Sequence, residues 1–148
     1  MDTAKTSLRP AALDDSNFAY SLKKVALGEY VTRTYGWDED EQQRLHQRRF
    51  RPSETQIIMH GDLDIGLLAI DRYPDHVHLR QIFILPGAQS CGIGSHLVKQ
   101  ILEDAEQEHV PVTLRVLKVS HRARDFYARL GFRTVGETTT HHQMEHFS

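Results

Sequence analysis

The sequence predicts an α/β fold in which a mixed, mostly antiparallel sheet is flanked by helices. Three observations carry that prediction. An apolar, strand-like run, Ile82-Phe83-Ile84-Leu85, is halted by Pro86-Gly87, and from Leu97 the apolar positions switch to helical spacing (Leu97, Val98, Ile101, Leu102, Ala105). A β-branched run, Val112 to Val116, is likewise followed by a helical stripe of Ala123, Phe126, Tyr127 and Leu130. Turn signals at Gly61-Asp62 and Tyr73-Pro74-Asp75, together with two β-rich runs at the end of the chain, mark hairpins.

Taken in order, Thr6 to Arg9 forms a short first strand closed by Pro10. Asp14, Asp15, Ser16 and Asn17 supply helix-start chemistry, and Phe18, Leu22, Val25 and Ala26 give an apolar stripe that Gly28 ends or bends. The conformation of the aromatic and β-branched stretch from Glu29 to Trp37 stays open. Asp38 to Glu41 place acid at the start of a second helix, and Arg44, Arg48, Arg49 and Arg51 place base toward its end, matching the helix dipole. Its few apolar residues put it on the rim. Gln56 to His60 and Leu63 to Asp71 form a hairpin, and His76 to Leu85 is the central strand. The long helix after it ends near Glu108. Ser120 is the N-cap of the next helix and Gly131 its left-handed stop, and Phe132–Glu137 and Thr139–Glu145 form the terminal hairpin.

The 148 residues suit one domain, 1–148, with one core. A net charge of −2 supplies no basic field for nucleic acid, so any anion site is local. No apolar run spans a bilayer and no leader stands at Met1, and one cysteine, Cys91, permits no internal disulfide; a cytoplasmic location is expected. Monomer and homodimer both remain open.

The loop between the central strand and its helix holds Gly92 and Gly94, which let backbone come close to a ligand. No carboxylate stands in the first two turns of the helix, the first being Glu103, so the orphan N–H groups of the helix start are left for a phosphate or for a plain glycine turn. No Gly-Lys-Ser/Thr follows, so this is not a Walker loop, and the third glycine of a dinucleotide fingerprint is missing.

Two segments in fixed order resemble the GCN5-related N-acetyltransferase family. Gln89-Ser90-Cys91-Gly92-Ile93-Gly94 is similar to its Gln/Arg-x-x-Gly-x-Gly/Ala acetyl-CoA loop, and Ala123-x-x-Phe126-Tyr127-x-x-x-Gly131-Phe132 is similar to its second block. The strand from Leu114 to Val116 lies between them. Two departures stand out: Cys91 occupies a position where the family often has Lys or Arg, and Ser120 one where it often has Asn.

The resemblance implies a single-domain acetyltransferase fold with acetyl-CoA as co-substrate and an amine, on a small molecule or a peptide, as acceptor. It implies a diphosphate held by Gln89, Ser90, Cys91, Gly92, Ile93, Gly94 and Ser95, with Ser120 adding one hydrogen bond. It implies a pantetheine arm lying along Ile82, Phe83 and Ile84 like an added strand. Tyr127 matches the position that often protonates the departing thiolate, although it also lies on the apolar stripe of its helix. His78 falls near the position of the family's general base, and a hydrogen-bonded surface histidine is the alternative. Glu29, Tyr30 and Trp37 offer charge and aromatic faces for a cationic acceptor, or simply aromatic packing. His141, His142 and His146 form no closed ligand set, so no metal is expected. Cys91 is a bystander, since the family transfers acetyl directly. A non-catalytic acyl-CoA sensor on the same scaffold is the competing function.

Overall fold

The helices and strands follow the predicted order. A computed structural model describes residues 3–89 and 91–147. The elements are β1 (Thr6–Pro10), α1 (Ser16–Tyr35), α2 (Glu39–Arg49), β2 (Gln56–His60), β3 (Leu63–Tyr73), β4 (His76–Ile84), α3 (Ile93–Gln107), β5 (Val112–Leu117), α4 (His121–Arg129), β6 (Arg133–Glu137) and β7 (His141–His146). The strands are hydrogen-bonded in the order β1-β2-β3-β4-β5-β7-β6. The β4–β5 pair is parallel, while β1–β2, β2–β3, β5–β7 and β6–β7 are antiparallel, so the sheet is mixed. No helix among the described residues is long and apolar enough to cross a membrane.

The chain divides into two compact units, one comprising Met1–Ala69 with Gln81–Gly94, the other Ile70–Arg80 with Ser95–Ser148. In the first, Ala19 and Leu22 of α1 pack on Ile57 of β2 and Leu67 of β3, with Phe18, Phe50, Met59 and Phe83 around them. The β2–β3 register shifts between Ile58, which faces Gly66, and Met59, which faces Asp64. Ile65 is therefore the extra residue of a bulge, which bends the strand locally.

The expected break at Gly28 does not occur, and α1 runs for 20 residues. The Thr32 hydroxyl donates back to the Gly28 carbonyl at 2.6 Å, and the helix stops only at Gly36, whose φ of +78° suits a residue without a Cβ. One glycine inside a helix costs only about 1 kcal/mol relative to alanine, and buried Ala19, Leu22 and Val31 offset that. At α2, the Asp38 carboxylate accepts from the Glu41 N–H at 3.1 Å, the expected cap.

In the second unit β5 and β7 pair over six residues, from Val112↔His146 to Leu117↔His141. Leu97, Val98, Ile101 and Ala105 of α3 are buried, as the apolar stripe requires, while Leu102 is only half-buried. The α4 helix ends at Gly131, where φ is +97°. Ser120 occupies the predicted N-cap position and is buried, but its side chain makes no capping hydrogen bond; its backbone carbonyl accepts from Arg124 N–H instead.

Candidate active site

The loop after β4 is built by backbone turns. Pro86 opens a single 3-10 turn in which Ala88 N–H donates to Leu85 and Gln89 N–H donates to Pro86. Ala88 is buried and anchors the turn. Gly92 has φ +83°, a conformation only glycine adopts freely, and it redirects the chain into α3. Among the described residues, no carbonyl or side chain accepts from the N–H groups of Gly92, Ile93, Gly94 or Ser95. Four donors at the positive end of a 15-residue helix form a cradle for a phosphate oxygen. The donor set fits a diphosphate.

The Gln89 side-chain amide donates one of its two N–H groups to the Ile84 carbonyl at 2.7 Å and so braces the loop. Its backbone N–H is also spent, within the 3-10 turn. The Cys91 thiol donates to the Gln89 carbonyl at 3.3 Å, in keeping with a bystander. Ser90 lies outside the described residues.

Ile82, Phe83 and Ile84 are half-buried. The β4–β5 pairing is confined to Val77↔Val112 and His78↔Thr113, so beyond His78 this edge of β4 has no strand partner among the described residues. On the other side, Leu85 N–H donates to Ile65 at 2.8 Å. Gly66 of β3 admits this approach, because a Cβ there would collide with the Phe83 carbonyl oxygen. Sequence patterning passed over Gly66, although a glycine inside a strand pattern is the usual signal of close backbone approach.

His78 Nδ1 lies 2.8 Å from the Thr113 hydroxyl, and burial lowers the pKa of the ring while the Asp71 charge opposes that shift. The imidazole is therefore neutral at pH 7. If Nδ1–H donates to Thr113, the lone pair of Nε2 is left to accept a proton. The regular alternation of buried and half-buried residues that includes His78 holds from His76 to Arg80 and stops at Gln81.

Tyr127 packs edge-to-face with Phe126 (centroids 5.1 Å apart) and with Phe132 (5.5 Å). Burial holds its phenol well above the ordinary tyrosine range. Its hydroxyl has no hydrogen-bond partner among the described residues.

The three expected acceptor residues are not gathered by any contact among the described residues. Glu29 is exposed and Tyr30 half-buried on α1, and adjacent helical positions point apart. The Trp37 indole N–H donates to Glu39 Oε2 at 2.8 Å, and the same oxygen accepts from Lys24 at 3.0 Å. Glu39, expected only as acid at the start of α2, and Lys24, which no sequence pattern singled out, form a hub joining α1 to α2.

The amides of Gly92 to Ser95 thus follow β4, whose last residues keep one edge without a strand partner among the described residues. Residues 20–132 match the profile of the acetyltransferase (GNAT) family. The fold is similar to PaiA N-acetyltransferase from Thermoplasma acidophilum, solved in complex with coenzyme A, at 11% identity and a TM-score of 0.76 over 97% of this chain and 99% of that one. It is similar to an acetyltransferase from Thermus thermophilus, at 16% identity and a TM-score of 0.76 over 100% of both chains. It is also similar to the ribosomal-protein-S18-alanine N-acetyltransferase of Escherichia coli, at 16% identity and a TM-score of 0.68 over 96% of this chain and 93% of that one. At these identities the likeness is one of fold. None of the curated proteins compared matches it in sequence. The chain belongs to the acetyltransferase (GNAT) family. It is an N-acetyltransferase, with acetyl-CoA as acyl donor.

Proposed function

We propose that the chain moves the acetyl group of acetyl-CoA onto a primary amine, carried by a small molecule or a peptide, through direct attack of nitrogen on the thioester carbonyl. The four unpartnered amides from Gly92 to Ser95 carry this reading, since they supply the donors a coenzyme A diphosphate needs. The free edge from Ile82 to Ile84 offers backbone groups along which the pantetheine amides hydrogen-bond as an added strand. One such N–H, directed at the carbonyl oxygen, stabilises the charge that develops there, a contribution of about 3 kcal/mol for a fixed donor.

His78 then takes at Nε2 the proton that the amine must lose as nitrogen bonds to the carbonyl carbon and the carbon–sulfur bond breaks, and Tyr127 donates a hydrogen bond to the leaving sulfur. Because the phenol holds its proton tightly, full transfer to a thiolate is uphill, and Tyr127 acts chiefly as a donor. Acetyl-CoA binding without turnover is the outcome that would overturn this reading. Release of free coenzyme A with a panel of small amines and peptide N-termini separates transfer from binding alone. Turnover that depends on the amine supports transfer, whereas tight acetyl-CoA binding with no release across the panel supports the sensor. The neighbour named as a ribosomal-protein-S18-alanine N-acetyltransferase makes an alanine-bearing peptide a sensible member of that panel.

A further inference from the structure

We propose that the C-terminal half of α2 is a docking surface for an acidic peptide segment of a partner protein. Arg44, Gln47 and Arg48 line a shallow depression of about 300 Å³. All three are exposed, and Arg44 and Arg48 stand one helical turn apart, so their guanidinium forks project on the same face. Asp40 stands one turn before Arg44, in the order that favours an intrahelical ion pair. Even so, among the described residues neither Arg44 nor Arg48 has an anionic partner, whereas the neighbouring Arg51 reaches Glu54.

The facing helix supplies an independent observation. Lys23 of α1 is half-buried, and burial and then the charge of Arg49 loosen its hold on its proton. His46 likewise feels the charge of Lys23. Positive charge is therefore concentrated along this part of α1 and α2, and an anion complements it.

The size of the surface selects the anion. Two exposed arginines gain little over water from a single phosphate or carboxylate, because exposed ion pairs are weak individually. A chain presenting several carboxylates engages Arg44 and Arg48 together and gains from effective concentration. Glu39, Asp40 and Glu41 at the other end of the same helix repel any polyanion that extends past the basic half, so the occupant is short. A short run of Asp and Glu fits within the basic half alone. This inference stands apart from the acetyl-transfer reading.

Fluorescence anisotropy of a labelled glutamate-rich peptide against the full chain tests it at low salt, with inorganic phosphate and a short single-stranded oligonucleotide as competitors. Peptide affinity is expected to fall about tenfold or more in the Arg44→Ala, Arg48→Ala double variant and to be largely retained when both positions are Lys. Acetyl-CoA affinity and thermal midpoint are expected to stay unchanged in both variants. Absence of peptide binding, equal binding by wild type and the alanine variant, or displacement of peptide by the oligonucleotide at lower concentration than by unlabelled peptide would overturn the assignment.

Discussion

The indole N–H of Trp37 and the carboxylate of Glu39 are bonded at 2.8 Å, two residues apart, across the turn that joins α1 to α2. Lys24 completes the group, with its ammonium on Glu39 and 5.9 Å from the centre of the Trp37 ring. The hydrogen bonds from Trp37 and then Lys24 bring the Glu39 pKa down to about 2.

That depression has a sign. A carboxylate more acidic in the folded than in the unfolded chain contributes stability that is complete above its unfolded value, near 4.5, and is lost as the pH falls toward about 2. Trp37 is the sole tryptophan, so its emission reports on the hub directly. The wild-type emission maximum is expected to shift between pH 4.5 and about 2, and Glu39→Gln is expected to show the acid-form spectrum at pH 7.

Gly66→Ala probes the close approach of β3 and β4. The added methyl meets the Phe83 carbonyl oxygen, which is backbone and cannot rotate away. A loss of about 1–3 kcal/mol is expected in urea unfolding, the usual range for overpacking. Because the collision lies at Phe83, acetyl-CoA affinity is expected to fall as well, as calorimetry on the folded variant would register.

At Gly92 two substitutions separate backbone strain from charge. The nearest atom to an added Cβ is Thr3 Cγ2 at 3.8 Å, so space is available and only φ is unfavourable. Gly92→Ala is expected to cost about 1–2 kcal/mol of stability and to retain measurable acetyl-CoA binding. Gly92→Glu adds a carboxylate where the diphosphate would sit and is expected to abolish binding. Equal affinity for the two variants would count against the amide cradle.

The two proposed catalytic groups are distinguishable by pH. Burial lowers the His78 pKa, so kcat/KM is expected to stay level through neutrality and to decline only below about 6.5. His78→Ala should abolish that acidic limb. Tyr127→Phe should leave the limb in place and lower kcat by about a hundredfold with the fold intact.

The elements were legible because their signals are local. Pro86-Gly87, Gly61-Asp62 and Gly131 mark boundaries by conformational necessity, and alternation or helical spacing fills the intervals, so most bounds are met within two residues. The cap at Asp38 was readable for the same reason. Gly28 misled because a glycine's propensity is a small term that the burial of Ala19, Leu22 and Val31 overrides. The site was legible only where backbone makes it. The amides of Gly92 to Ser95 follow from glycine positions, but the bond from Gln89 to Ile84 depends on which of several acceptors a flexible side chain finds in three dimensions. The Lys24–Glu39–Trp37 hub was hidden for a related reason: Lys24 and Glu39 are fifteen positions apart, and no local pattern joins them.

The brevity of the β4–β5 pairing carries a consequence for handling the protein. Unsatisfied strand edges recruit other chains, and the stretch from Ile82 to Ile84 is apolar as well. A ligand that zips onto this edge shields it from self-association while shifting the unfolding equilibrium by mass action. Purification in coenzyme A should therefore give a preparation that melts later and precipitates less, with protection that scales with the logarithm of ligand concentration.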